Sequence, residues 1–175
     1  MSKSILAGIV FAALIGIAGT SHAVDAASVP DAKRTAQGFY LTADEVPPFL
    51  ASHKGRTLFV DVRTPEELAA SGVADAVDAN APLVVMSADG NRRPNPDFVT
   101  TVSNRLADMG LTKADPIVLI CHTGRRSAMA ANLLAQAGYA NVYSVVDGFE
   151  GDGPQARGWK NSGLPVRPAN SRRSA

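Results

Sequence analysis

The run PIVLI, Pro116 to Ile120, is apolar throughout, with no polar residue alternating along it. A strand with one wet face alternates, so an unbroken run suits a strand covered on both faces, as in a parallel sheet packed between helices. Similar β-rich runs stand at TLFVDV (Thr57 to Val62) and NVYSVV (Asn141 to Val146), with a shorter one at Leu83 to Met86. Helical signals fill the intervals. Thr42 and Glu45 form a capping-box pair ahead of Val46, Phe49 and Leu50, in a helix that Pro47 and Pro48 are expected to shorten or distort. Thr64-Pro65-Glu66-Glu67 supplies a cap, a first-turn proline and a capping glutamate. Asn95 is expected to cap a third helix opened by Pro96, with Val99, Val102, Leu106 and Met109 at helical spacing and Gly110 as the stop. Ala130, Leu133, Leu134 and Ala137 line one face of a fourth, which Gly138 closes. Strands alternating with helices predict an α/β domain with a mostly parallel sheet.

The remaining segments set the domain's limits. A chain of 175 residues, 46% of them apolar, can bury one good core, and its length favours a single domain. Lys3, the apolar run Ile5 to Ala18 and the small residues of Ser21-His22-Ala23 follow the plan of a secretory signal cleaved after Ala23, so residues 1–23 are expected to be removed and the mature protein exported, to the periplasm. The run falls short of the roughly 20 residues that span a bilayer. No membrane association is expected once it is gone. Residues 24–37 are small, polar and aperiodic and read as a flexible lead-in, the domain is expected over 38–166, and 167–175 read as a disordered tail. SADGNRRPNP, from Ser87, reads as an exposed loop, in which Arg92 and Arg93 are solvated in preference to forming a docking patch. A formal net charge of +1 with both signs interspersed gives no reason to expect a nucleic-acid partner.

The single cysteine, Cys121, directly follows PIVLI. One cysteine cannot make an internal disulfide, and a lone thiol in an exported protein is a liability unless it is buried or used. Its position is the carboxyl end of a central strand, where open α/β sheets bind ligands, just before a helix. Loop N–H groups and the positive helix end there are expected to favour a thiolate. Arg125, Arg126 and His122 are expected to add to the effect. A buried, inert cysteine is the plain alternative. Gly124 and two arginines within five residues of it fit an apolar burial site poorly.

CHTGRRS, with FVDVRTPEE about sixty residues upstream and GFEG followed by GWKNSGLPV downstream, resembles the rhodanese (sulfurtransferase) family, in particular its single-domain exported members. The likeness spans roughly Gly38 to Val166. It implies a three-layer sandwich with a five-stranded, mostly parallel sheet flanked by helices, and a nucleophilic cysteine cycling between thiol and persulfide. It assigns the persulfide to Cys121 and an active-site loop to His122, Thr123, Gly124, Arg125, Arg126 and Ser127, of which Gly124, Arg126 and Ser127 match the family's usual pattern. His122 departs from it by standing where arginine is usual, which replaces a fixed charge by a pH-dependent one. SGVADAVDA (Ser71 to Ala79) is a second departure, where Gly-His-Ile-Pro-Gly-Ala is typical.

Chemistry follows from charge. The Cys121 thiolate would attack the outer sulfur of an anionic donor such as thiosulfate and expel sulfite, with Arg125, Arg126 and loop N–H groups holding the oxyanions, before a thiol or cyanide accepts the sulfur. That scheme calls for no metal and no organic cofactor. Asp61 and Arg63 are supporting residues that either line the pocket or form a structural ion pair. Glu67 reads as a capping glutamate and Trp159 as packing, while His22 and His53 lack partners at ligand spacing. Whether Glu150 to Lys160 covers the pocket is left open by the sequence. Two other classes stand beside this reading. Cysteine-dependent phosphatases and arsenate reductases keep five residues between cysteine and arginine, whereas four separate Cys121 from Arg126. A non-catalytic sulfur-carrier or binding module for another exported protein would also keep the cysteine.

Overall fold

The computed structural model describes residues 24–171. The predicted signal segment, His22 and residues 172–175 lie outside the described residues. In chain order the strands are β1 (Tyr40–Leu41), β2 (Leu58–Asp61), β3 (Val73–Ala74), β4 (Ala79–Asn80), β5 (Val84–Met86), β6 (Arg92–Pro94), β7 (Ile117–Ile120), β8 (Val142–Val145) and β9 (Val166–Arg167). The α-helices are α1 (Val46–His53), α2 (Pro65–Ser71), α3 (Phe98–Asp108), α4 (Arg125–Gln136) and α5 (Gly158–Asn161).

The apolar run of β7 behaves as its composition demands. All four of its residues are buried, and it sits in the middle of a five-stranded sheet of order β1-β8-β7-β2-β4. Every ladder in that sheet is parallel. Successive side chains point to opposite faces of a strand, so each buried strand feeds two cores. Leu58, Val60, Ile117 and Leu119 pack with Val102 and Leu106 of α3 and Ala130 and Leu134 of α4. Phe59, Val118 and Ile120 pack on the other face with Val46 of α1, Leu68 of α2 and Trp159 of α5. Helices therefore cover both faces, and the domain has three layers.

Local chemistry explains where the helices begin. The Glu45 carboxylate accepts the Thr42 N–H at 2.7 Å, but the capped turn is a 3₁₀ turn, Ala43–Glu45, that runs into α1. Pro47 and Pro48 fall in the first turn of α1, where N–H groups have no intrahelical partner to lose, so they leave the helix intact, contrary to expectation. In α2 the full capping box forms, with the Glu67 carboxylate accepting the Thr64 N–H at 2.9 Å. The third helix starts later than expected. Asn95 does not cap it; its side chain accepts the Asp97 N–H at 3.0 Å and ties the preceding turn to the Pro82 carbonyl at 2.8 Å, and α3 begins at Phe98.

Three expectations about irregular segments are corrected. The loop from Ser87 is a β-hairpin: β5 pairs antiparallel with β6, Met86 opposite Arg92 and Val84 opposite Pro94, around an Asp89-Gly90 turn. Its strands are solvated, and Arg93 bonds Asp89 at 2.9 Å. The lead-in 24–37 is packed on the domain through buried Val29 and Lys33, because Lys33 finds a carbonyl and a carboxylate there. The tail's first residues are also held: β9 pairs antiparallel with β3, and Arg167 donates to the Ser171 carbonyl at 2.7 Å. Packed residues thus lie on both sides of the expected 38–166.

The fourth helix differs from its sequence reading at one residue. Leu134 is fully buried whereas Leu133 is 43% exposed, because the alanines Ala130 and Ala131 with Leu134 form the core face. Leu134→Ala should therefore cost about 2–5 kcal/mol of unfolding free energy. Leu133→Ala should stay within about 0.5 kcal/mol of wild type. Urea unfolding of the two variants checks this, and equal losses would contradict the packing.

Candidate active site

The loop between β7 and α4 is built on two glycines. Gly124 has φ +94°, a left-handed conformation in which a Cβ would lie 2.1 Å from the Val146 carbonyl oxygen, so no side chain fits. Gly148, at φ +67°, faces the other side of the loop, where a Cβ would come within 2.6 Å of the His122 carbonyl oxygen. Its neighbours clamp the loop: the Phe149 N–H donates to the Cys121 carbonyl at 2.8 Å, and the Glu150 N–H to the His122 carbonyl at 3.0 Å. The start of the Glu150–Lys160 segment thus closes on the loop backbone.

Within this frame the Cys121 Sγ accepts the Gly124 N–H at 3.1 Å and lies 3.6 Å from the Ser127 Oγ. Ser127 is fixed in turn, donating to the Gly124 carbonyl at 2.9 Å and accepting from the Ser144 Oγ at 2.9 Å. The 12-residue α4 starts at Arg125 and directs its N-terminal N–H groups and positive dipole end at this spot. Cys121 is 1% exposed and also touches the core of the α3/α4 face. Its sulfur therefore lies at the floor of the loop, against the Gly124 N–H and the Ser127 hydroxyl. His122 and Arg125 are exposed at that mouth, and Thr123 is half-buried.

Arg126 does not extend freely over the thiol. Its guanidinium grips Glu67 with two bonds of 2.6 Å each, one to each carboxylate oxygen. The Arg126 hydrogen bonds hold the Glu67 carboxyl at about 2, against the opposing effect of burial and with help from the Thr64 N–H. The same bonds raise Arg126 above the usual arginine value. Glu67 is the functional neighbour that sequence reading missed: its capping role was legible, its grip on the loop arginine was not. The signal available was the need of a half-buried arginine for a counter-ion, and the acidic start of α2 beside the strand carrying Asp61.

Asp61 and Arg63 form a structural ion pair. Both side chains are fully buried, with Arg63 Nη2 at 2.7 Å and Nε at 3.0 Å from the carboxylate. Arg63 also donates to the Ser71 Oγ and the Gly72 carbonyl, each at 2.9 Å, and its Cζ lies 3.9 Å above the Phe149 ring. The pair braces α2 against the segment that clamps the loop, without lining the mouth. Trp159 is buried packing, its Nε1 donating to the Pro165 carbonyl. Among the described residues no group of histidine, cysteine and acidic side chains is disposed to hold a metal ion.

A cysteine at the carboxyl end of a central parallel strand, ringed by the following loop and the next helix's N-terminus, defines a class of α/β domains with a thiol held against backbone N–H groups. The match to the family model "Rhodanese-like domain" covers residues 49–152, more than half of the chain, and the chain belongs to that family. It is 34% identical over 106 residues to Uncharacterized protein RP600 of Rickettsia prowazekii, covering 61% of this chain and 79% of the relative. It is 32% identical over 118 residues to Thiosulfate sulfurtransferase 16, chloroplastic, of Arabidopsis thaliana, covering 67% and 82% respectively. Among solved structures, Rv0390 from M. tuberculosis matches with a TM-score of 0.59 at 28% identity, over 74% of this chain and 96% of that one.

The Glu67–Arg126 bridge predicts a pH signature. Because the folded Glu67 value, about 2, lies below its ordinary 4.5, the bridge's stabilisation is fully present above that ordinary value and is lost as pH falls toward the folded one. The difference in urea-unfolding free energy between wild type and Glu67→Gln should stay level from neutral pH down to about 5 and shrink from there toward about 2. A difference that does not change with pH would show that the bridge contributes nothing.

Proposed function

We propose that this chain is a sulfurtransferase that moves a sulfane sulfur from thiosulfate or a similar anionic donor to a thiol or cyanide, through a persulfide on Cys121. The observation that carries this reading is the Gly124 N–H aimed at the Cys121 Sγ from 3.1 Å, at the head of α4. The family match and the thiosulfate sulfurtransferase among the relatives support a sulfurtransferase-type activity. In the first half-reaction Sγ attacks the outer sulfur of thiosulfate. The S–S bond of the donor breaks, sulfite departs with the bonding electrons, and a persulfide anion is left on the enzyme. In the second, the acceptor attacks that outer sulfur and Cys121 leaves as thiolate. Both enzyme states are anionic at the same place, so one cradle of N–H dipoles serves both.

The arginine assignment changes with the geometry. Arg126 spends its bidentate face on Glu67 and acts by shaping the loop, which leaves the Arg125 guanidinium and the exposed His122 ring as the side chains available to the donor's oxyanions. Export is part of the same proposal: Lys3, the Ile5 to Ala18 run and Ala23 support a signal removed before the enzyme works in the periplasm. Small sulfur compounds are its proposed partners, with an exported protein as a further acceptor.

Intact mass of the protein after incubation with thiosulfate is the direct test. One added sulfur atom, removed by cyanide as thiocyanate, is expected in wild type and absent in Cys121→Ser, whose hydroxyl keeps the size but loses the polarizable nucleophile. Thiocyanate formation by Cys121→Ser at the wild-type rate would overturn the assignment. Sulfur loading without turnover would mark a carrier instead, and hydrolysis of aryl phosphates faster than sulfur transfer would move the protein to the phosphatase class.

A further inference from the structure

Residues 24–37 precede the segment matched by the family model, yet they run along α4 and past both ends of β8. The Ala36 N–H donates to Asn132 Oδ1 of α4 at 2.7 Å, while Gln37 donates to the Tyr139 carbonyl at 2.7 Å and accepts the Val142 N–H at 3.0 Å. Further back lies Lys33, only 5% exposed. Its Nζ donates to the Val146 carbonyl at 2.9 Å and to Asp152 Oδ2 at 2.8 Å. A buried ammonium is costly unless its protons are met, and here a carboxylate and a carbonyl meet two of them.

The place of those bonds gives them meaning. The Val146 oxygen that Lys33 holds is the same atom that would lie 2.1 Å from a Cβ on Gly124, and Lys33 Cδ would lie 3.2 Å from that Cβ. Lys33 and the Val146 carbonyl together form the wall against which Gly124 rests. Asp152, the other anchor, follows the Gly148–Glu150 stretch that clamps Cys121 and His122 from the opposite side.

We propose that Lys33 is a positioning residue for the cysteine loop: by tying the Val146 carbonyl to Asp152 it fixes the wall behind Gly124 and so keeps the Gly124 N–H aimed at the Cys121 sulfur. Lys33 has no contact with Sγ and acts wholly through Gly124. The segment before the family's common core is on this reading a strap that completes the site. The activity consequence rests on the sulfurtransferase reading; the geometric one does not.

The test separates the two. In Lys33→Met, which keeps the stem and removes the charge, the Gly124 amide should exchange with deuterium about tenfold faster, while the Val118 and Leu119 amides of β7 keep their wild-type rates. The kcat for thiosulfate-to-cyanide transfer should fall about tenfold with KM within about twofold, since the aimed N–H stabilises the sulfur anion more than it binds the donor. Asp152→Asn, which keeps a hydrogen-bonding side chain, should move both readouts in the same direction by less, and it carries the test with the same criteria if Lys33→Met does not fold. Wild-type Gly124 exchange in a folded variant would overturn the proposal. So would equal acceleration at Gly124, Val118 and Leu119, which is what general destabilisation produces. If wild type transfers no sulfur, the functional reading fails, and the exchange rates still decide whether Lys33 positions the loop.

Discussion

The approach of Gly124 to the Val146 carbonyl is the constraint from which the site follows. At that separation the loop after β7 lies directly on the exit of β8, and the Gly124 N–H is turned inward onto the Cys121 sulfur. The approach depends on the sheet. β7 and β8 pair in parallel, Ile117 opposite Val142 and Leu119 opposite Ser144, so both strands end at the same edge and their following loops emerge side by side. Ser144, one residue before the end of β8, reaches Ser127 in the first turn of α4 and locks strand to helix. An antiparallel neighbour would have carried its loop to the far edge and left the thiol without a second wall.

Charge around the loop is arranged in closed pairs. Arg63 is held by Asp61, Arg126 by Glu67 and Lys33 by Asp152. Each pair braces a different contact: α2 against the clamping segment, α2 against α4, and the N-terminal strap against the exit of β8. Such pairs contribute position more than net charge, because breaking one leaves a buried ion without compensation. At the sulfur itself the contacting donor is the neutral Gly124 N–H, ahead of the start of α4. Arg125, exposed in the loop, carries charge that salt can screen.

Most of the fold was legible because the strands and helix caps use short-range rules. The unbroken run at Ile117–Ile120, the capping box at Thr64 and the lone cysteine ahead of a helix each point to their structure within a few residues. What escaped was set at long range or by small residues. Lys33 looks like a solvated lysine until Val146 and Asp152, more than a hundred positions away, are brought to it. The Glu67–Arg126 bridge spans 59 positions and was hidden behind a capping role that is also correct. Helical spacing puts Leu133 on the same face as Leu134 because it treats leucines alike, whereas the close packing of α4 on the sheet is made by Ala130, Ala131 and Leu134. The Asp89-Gly90 pair carried a hairpin signal that the surrounding prolines and asparagines obscured.

The depth of Cys121 also bears on which chemistry suits the site. A thiol on the floor of a loop, 1% exposed, is poorly placed to react with bulky groups. Under the proposed reaction it does not need to, since forming the persulfide advances the reactive atom by one S–S bond, about 2.05 Å, toward the mouth where acceptors arrive. In that scheme the inner sulfur would keep the Gly124 N–H, and the outer sulfur would stand toward the first turn of α4, whose N–H groups a helix leaves without intrahelical partners. A tetrahedral oxyanion bound covalently at the same depth would have to fit three oxygens inside a ring of four intervening residues already pressed between Val146 and Gly148. Backbone cannot yield there without losing the two glycine contacts that build the loop. The same close approach that aims the N–H thus favours a single added sulfur over a phosphoryl group.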